Sequence, residues 1–208
     1  MTADATAPRR TRIQHEKREI ILEAALEVFS THGFRGATID QIAEAAGMSK
    51  PNLLYYFRRK EDIYVAVLEK ILADWLVPLG KLDEKGEPID EIRRYVAAKM
   101  ELSRNNPKAS RLFANEILNG APAIGAFLKG PLKSLVDEKA AILAKWMMQG
   151  RLKKMDPRHL IFSIWAVTQH YADFDVQVRA VLGEPGDVIT AAETAVATLF
   201  VDGLRPRD

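Results

Sequence analysis

Residues 38–57 read TIDQIAEAAGMSKPNLLYYF, and this stretch decides the fold of the N-terminal part of the chain. Thr38 followed by Gln41 has the form of a capping box, in which each side chain satisfies a backbone N–H of the other, so a short helix is predicted to begin here. Gly47 interrupts that helix, and Ser49 is a suitable N-cap for a second short helix. Two short helices joined by a glycine-containing turn predict a helix-turn-helix motif.

The second helix of this motif has the residues expected of a helix that enters the major groove of DNA. Asn52 is suited to hydrogen bonding with adenine, and Lys50 can reach guanine or a phosphate. Tyr55 and Tyr56 can donate their hydroxyl groups to phosphates while their rings pack inward. The helix N-termini, one of them at Ser49, also offer backbone N–H groups to phosphates. The spacing alone is equally compatible with an ordinary helical hairpin.

Basic residues are concentrated near the N-terminus, although the whole chain has a net charge of only +2. The first 60 residues contain ten Lys and Arg against seven Asp and Glu. Residues 1–14 are polar and basic and contain a proline, which predicts a flexible arm with Arg10 and Arg12 as candidate phosphate contacts. A second cluster comprises Arg58, Arg59 and Lys60. Such clusters neutralise phosphates locally, although two solvated patches are the simpler alternative.

The wider segment of residues 33–64, GFRGATIDQIAEAAGMSKPNLLYYFRRKEDIY, resembles the signature of the TetR family of transcriptional repressors. The resemblance implies a homodimer that binds a palindromic double-stranded DNA operator, and a divergent C-terminal domain whose ligand changes the separation of the two DNA-binding heads. It implies that Lys50, Pro51 and Asn52 lie at the groove. The phosphate contacts that it implies are Thr38, Tyr55, Tyr56 and Lys60.

Helical periodicity covers the rest of the chain, and no segment shows the alternation of a β-strand. We therefore expect an all-α fold of about nine helices. Among them are one over residues 15–31 that ends before Gly33, one that stops near Pro78 and one over residues 157–182. The expected domains are a flexible basic arm (1–14), a helix-turn-helix DNA-binding domain (15–62) and a ligand-binding and dimerisation domain (63–208).

Four segments of the expected C-terminal domain are similar to members of the TetR family that control pyrimidine breakdown and related nitrogen metabolism. These segments are residues 73–79, 103–118, 135–146 and 156–174. The resemblance implies uracil or thymine as the small-molecule effector that releases DNA.

The last of these segments gives a physical reason for such a ligand. Trp165, Gln169 and Asp173 follow one another at helical spacing and share one face. A carboxamide offers a donor and an acceptor side by side, which complements an imide edge, and an indole suits the flat face of a base. Further candidates for the pocket wall are Trp75, Phe113, Asn115 and Glu116. An aromatic stripe at helical spacing is otherwise typical of a hydrophobic core.

The last two expected helices have more apolar surface than one core face requires. The family resemblance implies that they form a four-helix interface between two copies of the chain. Complete burial within one copy is the alternative.

Several classes of function are not expected. The chain has no cysteine and no G-x-S-x-G, Gly-rich phosphate loop or H-E-x-x-H motif, so we do not expect an enzyme. His170 and Asp173 alone are too few ligands for a metal site, and no cofactor is expected besides the effector. No apolar run approaches the roughly 20 residues of a membrane span, and we expect a cytoplasmic protein. Two alternatives remain: a repressor of efflux or other metabolism genes that senses a larger apolar ligand, and a helical interaction protein without DNA binding.

Overall fold

The computed structural model describes the backbone of residues 7–183 and 186–206, and the side chains of these ranges from Arg12 onward. This part of the chain contains helices and loops but no strand, and none of its helices is both long and apolar enough to cross a bilayer. The helices are α1 (Ala7–Gly36), α2 (Ile39–Ala45), α3 (Lys50–Tyr56), α4 (Lys60–Gly80), α5 (Pro88–Asn105), α6 (Pro107–Leu118), α7 (Gly125–Phe127), α8 (Lys133–Met148), α9 (Pro157–Asp173), α10 (Asp175–Leu182) and α11 (Val188–Leu204). Because α7 continues through a π-helical turn, Leu128–Leu132, into α8, these segments form ten separate helices.

The tenth helix results from a break at Phe174. The sequence predicts one helix over residues 157–182, whereas the structure separates α9 from α10 at Phe174, where φ is −112° and ψ is 28°. Aspartates flank the break on both sides, and aspartate has a low helix propensity. After the break, the carboxylate of Asp175 forms a 2.7 Å ion pair with Arg179, which stabilises α10 one turn along.

The predicted flexible arm is wrong for residues 7–14, because α1 begins at Ala7. Pro8 lies in the first turn, where its missing N–H leaves no hydrogen bond unmade. Farther along, Arg12 Nε lies 2.9 Å from Glu16 Oε1, and an opposite-charge pair four residues apart supports a helix. The side chain of Arg10 lies outside the described residues, so its phosphate contact stays a prediction.

Helix α1 loses its regular geometry at the predicted glycine, whereas α4 continues past the proline where it was predicted to stop. The path of α1 changes at Gly33, whose φ of 65° and ψ of 172° confirm it as the point where regular helix ends. Glycine adopts this left-handed φ without steric cost. In contrast, α4 continues past Pro78, where it was predicted to stop, and ends at Gly80. Since Pro78 lies in the last turn, its missing N–H removes only one bond near the helix end.

Two hydrophobic clusters form the interior. The first is built mainly on α1 to α4 and α6, and the second on α5, α8, α9 and α11. Helix α4 runs without a break through residues 62 and 63, where the domain boundary was expected. Leu112 of α6 is buried in the first cluster together with Phe29 of α1 and Leu53 of α3. The N-terminal helices therefore share one packed core with the first part of the C-terminal region.

Candidate functional site

The helix-turn-helix is confirmed, and its first helix begins at the predicted capping box. The backbone N–H of Gln41 donates to Thr38 Oγ1 at 3.2 Å, and the backbone N–H of Thr38 donates to Gln41 Oε1 at 2.9 Å. Gly47 has a φ of 63°, which lets the chain turn from α2 into α3. Ile42 and Leu53 have no exposed surface, so both short helices are fixed by burial in the first cluster.

Helix α3 exposes the residues that were predicted to lie at the groove. Exposed side chains are those of Ser49, Lys50, Pro51, Asn52 and Tyr55. Ser49 occupies the predicted N-cap position, but its side chain makes no capping hydrogen bond. Tyr56 is half-buried, and its ring contacts Tyr55 edge-on with 5.2 Å between the ring centres. This exposure supports a DNA contact for α3, and the individual contacts stay predictions.

Lys50 is paired within the protein in this structure. Its Nζ atom lies 2.8 Å from Oδ2 of Asp40, a residue in the first turn of α2. Both side chains are exposed, so the pair is weak in free energy. The Asp40 carboxylate nevertheless competes with a base or a phosphate for the ammonium of Lys50.

Lys60 has an internal role that the sequence did not indicate. Its ammonium group donates to the carbonyl oxygens of Phe34 at 2.7 Å and Ala37 at 2.8 Å, and lies 4.6 Å from the centre of the Phe34 ring. These contacts tie the N-terminus of α4 to the connection between α1 and α2. One of the three ammonium N–H groups is left for the predicted phosphate contact.

Two arginines add positive charge beside α3. The guanidinium of Arg18 lies 4.2 Å from the centre of the Phe57 ring and donates to the carbonyl oxygen of Tyr56 at 3.4 Å. Arg59 lies 2.7 Å from the carboxylate of Asp62, and this hydrogen bond lowers the pKa of Asp62. Arg18 therefore braces the end of α3, while Arg59 is held at the start of α4.

Two aromatic contacts join helices in the C-terminal region, one between α5 and α9 and the other between α4 and α6. The indole N–H of Trp165 in α9 donates to the hydroxyl oxygen of Tyr95 in α5 at 2.5 Å. Trp75 of α4 contacts Phe113 of α6, with 5.7 Å between ring centres and 56° between ring planes. Tyr95 is buried, and this burial raises the pKa of its hydroxyl. Whether Trp75, Trp165 and Phe113 line a ligand pocket stays a prediction.

Asp173 and Gln169 lie on the same part of α9, and both are half-buried. The hydroxyl of Ser110 in α6 donates to Asp173 Oδ1. Burial raises the pKa of Asp173, while the hydrogen bond from Ser110 and the charge of Arg111 oppose that rise. Arg111 also donates to the carbonyl oxygen of Ala172 at 3.3 Å. Polar contacts therefore join α6 to α9 at Asp173, one turn beyond Gln169.

Lys99 is a candidate binding residue that the sequence interpretation missed. It is only 3% exposed, and its ammonium lies 4.3 Å from the centre of the Trp75 ring. Burial lowers the pKa of Lys99 to about 8, and the charge of Asp173 opposes this shift. A signal was present in the sequence, since Lys99 falls at helical spacing among the buried residues of α5, which include Ile92, Tyr95, Val96, Met100 and Ser103.

Two residues that were predicted for the pocket wall lie elsewhere. Asn115 is exposed, because residues two apart on a helix cannot share a face and Phe113 is turned inward. Glu116 is buried, but its carboxylate accepts hydrogen bonds from the hydroxyl of Tyr64 at 3.1 Å and the backbone N–H of Ala123 at 2.6 Å. Glu116 therefore binds α6 to α4 and to the loop before α7.

A cavity of about 180 Å³ also contacts Trp75. It lies between α1, α4 and α6, and its lining includes neither Trp165 nor Gln169. Within the described ranges, no three His, Cys, Asp or Glu side chains are grouped as a metal site would require.

Comparison with known protein families agrees with this architecture. Residues 21–67 match the family of bacterial regulatory proteins named tetR, and residues 68–207 match the C-terminal region of YcdC-like proteins. The chain is 49% identical over 205 residues to the HTH-type transcriptional regulator RutR of Escherichia coli (strain K12), with 97% of each chain covered. It is 31% identical over 137 residues to the HTH-type transcriptional repressor NicS of Pseudomonas putida, which covers 65% of this chain and 64% of that protein.

Solved structures show the same fold. The TetR family regulator PfmR from Thermus thermophilus is 20% identical, with a TM-score of 0.71 over 88% of this chain and 97% of that one. The transcriptional regulator SCO4942 from Streptomyces coelicolor is 26% identical, with a TM-score of 0.68 over 92% and 99%. These relatives are regulators and not enzymes, as the sequence predicts. The chain therefore belongs to the TetR family of helix-turn-helix transcriptional regulators.

Proposed function

We propose that this chain is a cytoplasmic repressor of genes for pyrimidine breakdown, and that uracil or thymine releases it from a palindromic operator. The observation that carries the proposal is the position of the buried Lys99 on α5, where its ammonium lies against the Trp75 ring of α4 and feels the charge of Asp173 on α9. The 49% identity to RutR over nearly the whole chain supports a regulator of the same kind.

The chemistry of these groups suits a small planar base better than a larger apolar compound. Indole rings provide flat apolar surfaces, and the carboxamide of Gln169 offers one acceptor and one donor. A purely apolar ligand would leave buried polar groups unpaired, at a cost of about 1–3 kcal/mol for each group. Lys99 is such a group, so an efflux-type repressor with an apolar ligand is the weaker proposal.

The proposed regulator acts as a homodimer, because a palindrome presents two equivalent half-sites. Large apolar side chains of α10 and α11 are exposed in the single chain, including Val176, Val181, Leu182 and Leu199. Burial of this surface against a second copy would form the four-helix interface that the family resemblance implies. No cofactor is proposed besides the effector.

Thermal unfolding with added bases tests the effector. A ligand that binds only the folded protein raises the unfolding midpoint as its concentration rises. We expect uracil or thymine to raise the midpoint and to release operator DNA, with cytosine as the control base. If millimolar uracil and thymine produce neither effect, the pyrimidine effector is wrong and the DNA-binding assignment is unaffected.

A substitution tests the proposed position of the base. Gln169→Ala is expected to retain operator binding and to lose release by uracil, because it removes the proposed imide partner from α9. The matched control is Gln149→Ala, which changes an exposed glutamine that follows α8. Unchanged release in Gln169→Ala would show that the base binds somewhere else.

A further inference from the structure

Lys99 differs from the other deeply buried lysine in the part of the chain that is described. Lys139 is 7% exposed, and its ammonium lies 2.9 Å from Glu138 Oε1 and donates to the carbonyl oxygen of Leu82 at 3.4 Å. Lys99 is 3% exposed, and its ammonium contacts the Trp75 ring but has no hydrogen-bond acceptor among the described residues.

Burial disfavours the charged form of Lys99, because the ammonium has lost part of its hydration and no hydrogen bond to a described residue replaces it. The nearest acid does not remove this cost. Asp173 attracts Lys99 by its charge without a hydrogen bond to the ammonium, and its Oδ1 atom accepts a hydrogen bond from Ser110. The ammonium therefore has its donor N–H groups available beside the aromatic ring of Trp75.

The other groups around Lys99 define which partner it can take. Tyr95 lies one turn earlier on α5, and its hydroxyl oxygen accepts a hydrogen bond from the indole N–H of Trp165. Gln169 lies one turn from Trp165 and one turn from Asp173 on α9, which packs against α5. A ligand bound between α5 and α9 would therefore have the Lys99 ammonium, the Asp173 carboxylate and the Gln169 carboxamide as candidate hydrogen-bonding partners.

The imide edge of uracil has a carbonyl on each side of an N–H. One carboxamide can bind the N–H and one carbonyl, which leaves the second carbonyl without a donor. Cytosine shares the carbonyl at C2 but has an acceptor at N3 and an amine donor at C4, so an ammonium that faces C4 would oppose donor to donor.

We propose that Lys99 is a specificity-determining residue whose ammonium donates a hydrogen bond to the C4 carbonyl of the imide and thereby selects a dioxopyrimidine over an aminopyrimidine. This inference rests on the proposed pyrimidine effector. Lys99 would distinguish uracil from cytosine. Gln169 alone would do so incompletely, because a carboxamide can turn over and pair with either base.

The test compares Lys99→Met with the wild-type full-length protein by calorimetric titration of uracil and cytosine. Methionine keeps the length and apolar contact of the side chain but removes the donor. Uracil affinity is expected to fall roughly 10- to 100-fold, as for the loss of a hydrogen bond to a charged group. Cytosine affinity should change much less, and operator binding without effector should be retained. Lys139→Met is the matched control and should bind uracil as the wild type does.

A pH series provides a readout that a purely structural role would not affect. Wild-type uracil affinity should fall as pH rises through the Lys99 pKa of about 8, because only the ammonium form donates the proposed charged hydrogen bond. The other ionisable groups near this point are Asp173 and the two groups that act on it, Arg111 and His170, together with Tyr95 on α5. They remain in Lys99→Met, so the fall above pH 8 should be absent there.

Each outcome decides the inference. If Lys99→Met binds uracil and discriminates against cytosine as the wild type does, the inference is wrong while the pyrimidine effector stands. If the wild type binds no uracil, both are wrong. If the variant also loses operator binding, or loses uracil affinity with an unchanged pH profile, Lys99 has a structural role and the inference is overturned.

Discussion

The hydroxyl of Tyr64 in α4 donates a 3.1 Å hydrogen bond to the buried carboxylate of Glu116 in α6. The Tyr64 ring lies 5.0 Å from the ring of Phe29 and 4.8 Å from that of Phe34, measured between centres. Phe34 in turn lies beneath the ammonium of Lys60. Helix α6, which contacts α9 through Ser110, is therefore bonded directly to the core of the DNA-binding helices.

Tyr64→Phe removes this bond and keeps the ring. Burial and Glu116 both raise the pKa of Tyr64, so the hydroxyl is a neutral donor to a carboxylate. We expect the free energy of unfolding to fall by about 2 kcal/mol. The effect of uracil on operator affinity should also become smaller, because α6 and α4 are less firmly joined. Urea unfolding and operator titrations with and without uracil measure both quantities. Tyr171→Phe, on α9, is the control, and equal behaviour of the two variants would contradict this role.

Lys60→Ala removes two hydrogen bonds to backbone carbonyls together with the proposed phosphate contact. We expect a lower unfolding free energy and weaker binding to operator and unrelated DNA alike. The slope of log affinity against log salt should fall by about one unit, as for the loss of one phosphate contact. Anisotropy titrations at several salt concentrations measure this slope. Lys81→Ala, at the exposed end of α4, is the control. An unchanged slope would remove Lys60 from the phosphate contacts and leave only its internal role.

Asp40→Asn frees Lys50 and removes a negative charge from the surface that is proposed to face DNA. Since an exposed ion pair is worth about 0.2–1 kcal/mol, we expect DNA affinity to rise by up to roughly fivefold. Unrelated DNA should gain as much as the operator or more, so that selectivity falls. Competition binding measures both affinities. Asp90→Asn breaks a 2.7 Å pair with Arg93 in α5 and should have no such effect. Weaker binding of Asp40→Asn would show that Asp40 positions Lys50 for its contact.

Lys99 should also make stability depend on pH. Its pKa is lowered from 10.5 to about 8 in the folded protein, so the unfolded chain binds more protons between these values. Stability is therefore expected to rise with pH from about 8 to about 10.5. At pH 7 and without effector, Lys99→Met should be more stable than the wild type by on the order of 3 kcal/mol, and the difference should shrink at pH 10. Urea unfolding of both proteins at the two pH values measures it. Lys139→Met should show no comparable gain, and a pH-independent difference would contradict the assignment.

Leu199→Glu should prevent dimerisation. Leu199 is 60% exposed on α11, and a glutamate there would place a charge in the proposed apolar interface. Light scattering after size-exclusion chromatography is expected to show a monomer with much weaker operator binding. Leu118→Glu changes a side chain that is 81% exposed on α6 and should remain dimeric. A dimeric Leu199→Glu would exclude α11 from the interface.

The helix-turn-helix could be predicted from the sequence because its signals act between neighbours. Thr38 and Gln41 are three residues apart, and Gly33 and Gly47 each act through their own backbone angles. The apolar stripe of α9 likewise follows from spacing along one helix. Where a local signal was weak, as at the Phe174 break, the expected helix was wrong.

The contacts between distant parts of the chain were decided only by the tertiary structure. Trp165 reaches Tyr95 across 70 residues, and Tyr64 reaches Glu116 across 52. The helical spacing of the sequence puts Lys99 on an apolar face, but it does not show that an indole covers its ammonium or that Asp173 lies within range of its charge. Such facts depend on which helices pack together and at what rotation, and packing is a property of the whole chain. The sequence by itself thus determined the DNA-binding motif through local backbone preferences, whereas long-range packing decided which polar groups are left to bind a ligand.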